Sequence, residues 1–192
     1  MLIIGDVHCK IKKYFELIQS EKESIQVGDF GFKNEHDWHL NNISPLHKVN
    51  FGNHDYYPYL NKPHSCGNFS TVGDIFTVRG AHSIDQYKRI SGRDWFENEE
   101  LNYSETNDCV DLYETTKPKI VVAHDCPMFI ATEFFNLPRL NEFVSHTRLL
   151  LESLVQSHAP EIFIFGHHHK SIDVTVNGTR YICLKELETF NL

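Results

Sequence analysis

Residues 161–171 read EIFIFGHHHKS. Four apolar residues, Ile162 to Phe165, run into a glycine and then into three consecutive histidines. A short apolar run closed by glycine is the pattern of a buried strand with a sharp turn at its end. The histidines would then stand at the C-terminal edge of a core strand, where open α/β sheets place their ligands. The run is internal, unlike a tag, and its meaning depends on partners elsewhere in the chain.

Those partners follow the same pattern. The apolar stretch Leu2–Ile4 breaks at Gly5-Asp6, Ser24–Val27 at Gly28-Asp29, and Leu46–Phe51 at Gly52-Asn53. Ile120–Ala123 ends at His124 without a glycine. Strand ends share one rim of a sheet, so their side chains can converge, and glycine lets the backbone turn sharply beside a ligand. The rim offers Asp6, His8, Asp29, Asn53, His54, His124, His167 and His169. Carboxylate, imidazole and amide without thiolate suit Zn, Mn or Fe better than Ca or Mg. The set is too large for one ion and fits two ions roughly 3.5–4 Å apart that share a carboxylate and a water. Asp6 and His8 are two apart, as are His167 and His169. On extended backbone each pair points one way, which turns His168 the other way.

The remainder reads as one domain over residues 1–192. The spacing predicts a helix over 11–20, a hairpin with arms 69–72 and 75–79, a short helix over 108–115 and a longer one over 141–157. Asn177-Gly178 predicts a type I′ turn between two strands. Residues 80–107 are polar and read as a long loop or insertion. The net charge of −8 disfavours long duplex nucleic acid as a partner. Five cysteines, an odd number with no C-x-x-C pair, argue against a disulfide scaffold and fit a cytoplasmic protein. No apolar stretch predicts a signal peptide or a membrane span.

GDVH (5–8), GDFG (28–31), GNHD (52–55), AHDCP (123–127) and GHHH (166–169) together resemble the five ordered motifs of the calcineurin-like metallophosphoesterases. The order matches across nearly the whole chain. The resemblance implies a four-layer α/β/β/α sandwich, two mixed sheets flanked by helices, with metals at the C-terminal strand ends. It also implies two divalent transition metal ions, Mn, Fe or Zn. One would be held by Asp6, His8, Asp29 and His169, the other by Asp29, Asn53, His124 and His167, with Asp29 shared. A hydroxide bridging the ions would attack phosphorus, and His54 would act as general acid. Asp55, next to His54 in sequence, is a candidate to orient it.

The chain departs from the protein Ser/Thr phosphatase branch. Phe32 stands where that branch has an Asp beside the catalytic His, and Lys33 where it has a phosphate-gripping Arg. The stretches 78–101 and 145–152 instead resemble a small bacterial and phage branch. Lys33, Arg79, His82, Arg93 and Arg148 are candidates to contact the substrate. The expected function is hydrolysis of a phosphate mono- or diester, with a small phosphoester or nucleotide as substrate and no membrane partner. The rival reading is a non-catalytic scaffold that keeps the fold and uses its surface for protein partners.

Overall fold

The computed structural model describes residues 1–32, 43–137 and 144–192. Lys33, His36 and His39, and the first residues of the helix expected from 141, lie outside them.

Two mixed sheets stack face to face. The first has the order β10-β1-β2-β3, from β1 (Leu2–Ile4), β2 (Ser24–Gln26), β3 (His47–Val49) and β10 (Thr189–Asn191). The second is six-stranded, in the order β4-β5-β6-β7-β9-β8. Its strands are β4 (Phe69–Val72), β5 (Ile75–Val78), β6 (Ile120–Ala123), β7 (Ile162–Phe165), β8 (Ile172–Val176) and β9 (Thr179–Cys183). The strands β1, β2 and β3 run parallel to one another, as do β5, β6, β7 and β9. The added strands β10, β4 and β8 are antiparallel to their neighbours.

Alternation along the strands builds the layers. Ile3, Ile25, Val122, Ile164 and Ile182 point between the sheets and form the central core. Leu2 and Ile4, one residue to either side, pack outward with Tyr14 and Ile18 of α1 (Ile11–Ile18). Val121, Ala123, Phe163 and Phe165 pack outward against helices α2 (Tyr103–Thr116), α3 (Met128–Phe135) and α4 (His146–Ser157). Strands buried on both faces read as continuous apolar runs, which is why β6 and β7 were conspicuous in the sequence.

Four elements differ from the sequence expectation. Helix α4 begins at His146 rather than 141, with the Ser145 side chain accepting from the Arg148 N–H as its cap. Helix α2 begins at Tyr103 rather than 108 because Asn102 and Glu105 form a reciprocal capping box. The expected 80–107 loop therefore ends in helix, and its earlier part holds 3-10 turns at Gln86–Lys88 and Glu97–Glu99. Helix α3 was not expected. Its eight residues are apolar nearly all round, so no helical stripe marks them. Strand β10 was also missed, since its three residues alternate exposed and half-buried with too little apolar content. The Asn177-Gly178 turn is as expected, with both residues at positive φ.

Candidate metal centre and active site

The parallel strands of both sheets deliver their C-terminal ends to one rim. Asp6 follows β1, Asp29 follows β2, Asn53 follows β3, His124 follows β6, and His167 to His169 follow β7. The two sheets are tied together there, since His167 N–H donates to both oxygens of Asp6 at 3.0–3.2 Å. The glycines allow this approach. A Cβ on Gly166 would sit 2.1 Å from Asp6 Oδ1, and one on Gly52 would sit 2.1 Å from Asp29 Oδ1.

The side chains fall into two adjoining groups. Asp6, His8 and His169 offer ligand atoms within 4.8 Å of one another, and so do Asp29, His124 and His167. His8 Nε2 is 3.7 Å from Asp6 Oδ2 and 3.3 Å from His169 Nε2. Asn53 Oδ1 joins the second group, 3.3 Å from His124 Nε2. Asp29 stands between them. Its Oδ1 accepts from the His54 backbone N–H at 2.9 Å and is 3.4 Å from His124 Nε2. Its Oδ2 is 4.0 Å from His8 Nε2, buried, and without a hydrogen-bond partner among the described residues. A buried carboxylate oxygen without a donor is costly. Facing two sets of imidazole and carboxylate ligands, it suits a divalent cation, so these residues fit the metals that the motifs imply. Burial works to raise the Asp29 carboxyl, but His124, His54, His167 and His8 outweigh it and hold it below the usual carboxylate range. Burial holds the His167 imidazole well below its ordinary range, so it is neutral and able to ligate.

The backbone explains the convergence differently from the sequence pattern. His8, Asp29, His167 and His169 all have positive φ, between 45° and 65°. Non-glycine residues rarely adopt this conformation, and clusters of it mark functional sites. His8 and His169 therefore reach Asp6 through tight turns rather than extended alternation. His168 joins neither group: it borders the same cavity as Asp29 and Asn53 but clusters instead with Asp125 and Cys126. It is not loosely placed, however. Its Nε2 donates to Asp125 Oδ1 at 3.0 Å, and its ring stacks on Phe135 at 3.8 Å between centroids.

Asp125 organises this flank. Its Oδ2 accepts from Arg148 Nε at 2.7 Å and lies 4.0 Å from His167 Nε2. Arg148, expected as a substrate contact, is thus anchored beside the second group. Its Nη2 is 3.5 Å from His167 Nε2, and it lines the same cavity as Asp29 and Asn53.

Asp55 corrects an expectation. Its carboxylate accepts from the backbone N–H of Gly31, Gly52, Phe30 and Phe32 at 2.7–3.3 Å. It clasps the loops after β2 and β3, and its bonds go to backbone rather than to the His54 ring. Burial and the nearby Asp29 charge push the Asp55 carboxyl up, against the amides that hold it down. Phe32 is likewise in the core, stacked on Phe30 at 4.7 Å.

The partner of His54 is a residue the sequence did not single out. Arg89 Nη2 donates to His54 Nε2 at 3.0 Å. Its Nη1 reaches the Asn53 carbonyl at 3.3 Å, and Asp85 holds the same guanidinium at 2.7 Å. Arg89 lies in the polar stretch read as a loop, where one arginine among several carries no distinguishing spacing.

The other candidates separate. Arg79 is a correction: it is 0% exposed and saturates Asn68 Oδ1 and the carbonyls of Asn98 and Glu99 from beneath the Tyr57 ring. It holds the 97–100 segment to the core and has no route to substrate. His82 lies at the mouth of the cavity and pairs with Glu100 at 3.7 Å. Arg93 is exposed, bound to Asp94, and lines a second cavity with His8, Phe32 and His54. His54 borders both cavities, of about 400 and about 540 Å³. Lys33 lies outside the described residues. Among the described residues no helix is long and apolar enough to cross a membrane.

Comparison with known proteins bears on this arrangement. Phosphopantetheinyl hydrolase from Mycobacterium tuberculosis superposes with a TM-score of 0.55 at 13% identity, covering 96% of this chain and 89% of that one. A conserved protein from Streptococcus pneumoniae, described as a predicted phosphoesterase, gives 0.44 at 10% identity over 96% and 72%. Vacuolar protein sorting 29 from Cryptosporidium parvum gives 0.41 at 14% identity over 96% and 74%. The first likeness shows the fold. No curated protein sequence matches the chain. The family model for calcineurin-like phosphoesterases matches residues 1–171, so the chain belongs to the calcineurin-like phosphoesterase family.

Proposed function

We propose that this protein hydrolyses small phosphate esters at a centre that holds two divalent metal ions. The observation that carries the reading is Asp29 Oδ2, buried between two groups of ligands and without a hydrogen-bond partner among the described residues. Asp6, His8 and His169 would hold one ion, and Asn53, His124 and His167 the other, with Asp29 common to both. Bound divalent ions would make hydroxide available near neutral pH and neutralise charge on the phosphoryl oxygens.

The chain's own residues supply the rest. The cavity bounded by Arg89, Arg148 and the second ligand group is the seat for the phosphoryl group. An arginine there gives directed donors to its oxygens. His54 stands where this cavity meets the one lined by Phe32 and Arg93, which would take the leaving group. With Arg89 donating to Nε2, the imidazole is neutral at that nitrogen. An incoming phosphate gives Arg89 a better acceptor and frees Nε2 to take up a proton from solvent. His54 then passes that proton to the leaving oxygen as its bond to phosphorus breaks.

Turnover of p-nitrophenyl phosphate and bis(p-nitrophenyl) phosphate by Mn-loaded protein tests the reading. Hydrolysis of either that is lost in His54→Ala with metal retained is expected. Inertness toward both, with metal bound, contradicts it.

A further inference from the structure

Asn53 is the one candidate ligand whose side chain has two unlike ends. An amide that turns over would present N–H groups to the metal centre instead of oxygen. Its orientation therefore needs a cause. Asn53 Nδ2 donates to Ser83 Oγ at 3.0 Å, and Ser83 Oγ donates to Glu99 Oε2 at 2.6 Å. The Ser83 backbone N–H donates to the other oxygen, Glu99 Oε1, at 2.7 Å. All three residues are buried, at 4%, 1% and 3% exposure.

With Glu99 ionised the direction of this chain is set. A carboxylate only accepts, so the single Ser83 hydroxyl proton is then committed to Glu99. The oxygen of Ser83 is left with lone pairs alone for Asn53, and only the Nδ2 end of the amide can use them. The Oδ1 end must then face His124. We propose that Ser83 and Glu99 are positioning residues that fix the Asn53 amide with its oxygen toward the metal centre. This also gives the polar stretch 80–102 a task, since it brings Ser83 and Glu99 to the rim between β5 and α2. The inference rests on the two-metal reading above. Groups that orient metal ligands are typically worth about 10- to 100-fold in metal affinity.

Glu99→Gln is the sharpest variant. The Ser83 backbone N–H still requires an acceptor, so the new amide turns its oxygen there and its N–H₂ toward Ser83 Oγ. The hydroxyl proton is released and can be offered to Asn53, which reverses the chain without changing its shape. Ser83→Ala removes the link. The test is calorimetric titration of metal-free protein with Mn²⁺, with thermal melts to confirm folding. Wild type is expected to bind in two steps. Glu99→Gln and Ser83→Ala are each expected to weaken one step by about 10- to 100-fold and leave the other in place. In an Asn53→Asp background both side-chain ends are oxygen, so Ser83→Ala should weaken binding no further. Should Ser83→Ala fail to fold, Glu99→Gln carries the test alone. Two unaltered steps in the variants, or equal weakening in the Asn53→Asp background, overturn this inference alone. A wild type that binds no Mn²⁺ overturns it together with the two-metal reading.

Discussion

Arg89 Nη2 lies 3.0 Å from His54 Nε2, and Asp85 holds the same guanidinium at 2.7 Å. In the protein Ser/Thr phosphatase pattern a carboxylate would stand near this histidine. Here Phe32 occupies that position and is packed in an aromatic cluster. The neighbour of His54 is thus a cation, which favours the neutral imidazole until a phosphate draws the cation away. Burial, joined by Arg89, moves the His54 pKa below its ordinary value, against the opposing pull of Asp29.

Arg89→Ala is accordingly expected to lower kcat/KM for a phosphate ester by about 100-fold, in line with the loss of one directed donor to a charged transition state. Arg89→Lys should recover only part, since lysine keeps the charge without the planar fork. Metal content should be unchanged in both. Steady-state kinetics beside elemental analysis check this. Wild-type kinetics in Arg89→Ala would remove Arg89 from the site.

His168→Ala should keep both metals and yet lose stability. The imidazole is wedged between Asp125 and Phe135. Its removal takes a donor from a fully buried carboxylate, a change that costs on the order of 1–3 kcal/mol. Arg148 remains to balance the charge of Asp125. Denaturant unfolding with metal analysis separates the two effects. Unchanged stability would show that the stacked position is incidental.

The fold should lose stability in acid partly through His64. This residue is buried, packed near Phe32, and its Nε2 has no hydrogen-bond partner among the described residues. Burial, with Lys48 and Lys62 nearby, holds its pKa down to about 4 from an ordinary 6.5. The unfolded chain therefore binds more protons between those values. Stability from this group is intact above about pH 6.5 and is lost as pH falls toward 4, with a slope of at most about 1.4 kcal/mol per pH unit. His64→Phe should flatten the stability–pH curve in that window relative to wild type, as followed by denaturant unfolding. An unchanged slope would place the acid sensitivity elsewhere.

Much of the layered fold was legible because its strands are short, apolar and closed by glycine or by a ligand residue. Five such endings in parallel strands dictate one rim, and the structure brings together Asp6, His8, Asp29, Asn53, His124, His167 and His169 there. What escaped the sequence depends on tertiary contacts. Helix α3 is buried on most sides and carries no amphipathic stripe. Arg79 and Arg89 have the same residue type and similar surroundings in sequence, yet one is sealed under Tyr57 and the other faces His54. Asp55 adjoins His54 in sequence, while its carboxylate serves backbone amides of its own loop and of the loop after β2. Ser83 and Glu99 are sixteen residues apart and meet only because the polar segment folds back on itself.

Metal content measured by elemental analysis after loading with Mn²⁺ tests the central claim most directly. The account predicts about two ions per chain in wild type and about one in His169→Ala, since His169 serves only the Asp6 and His8 group. A wild type that holds no ion, or a His169→Ala protein that still holds two, would contradict it.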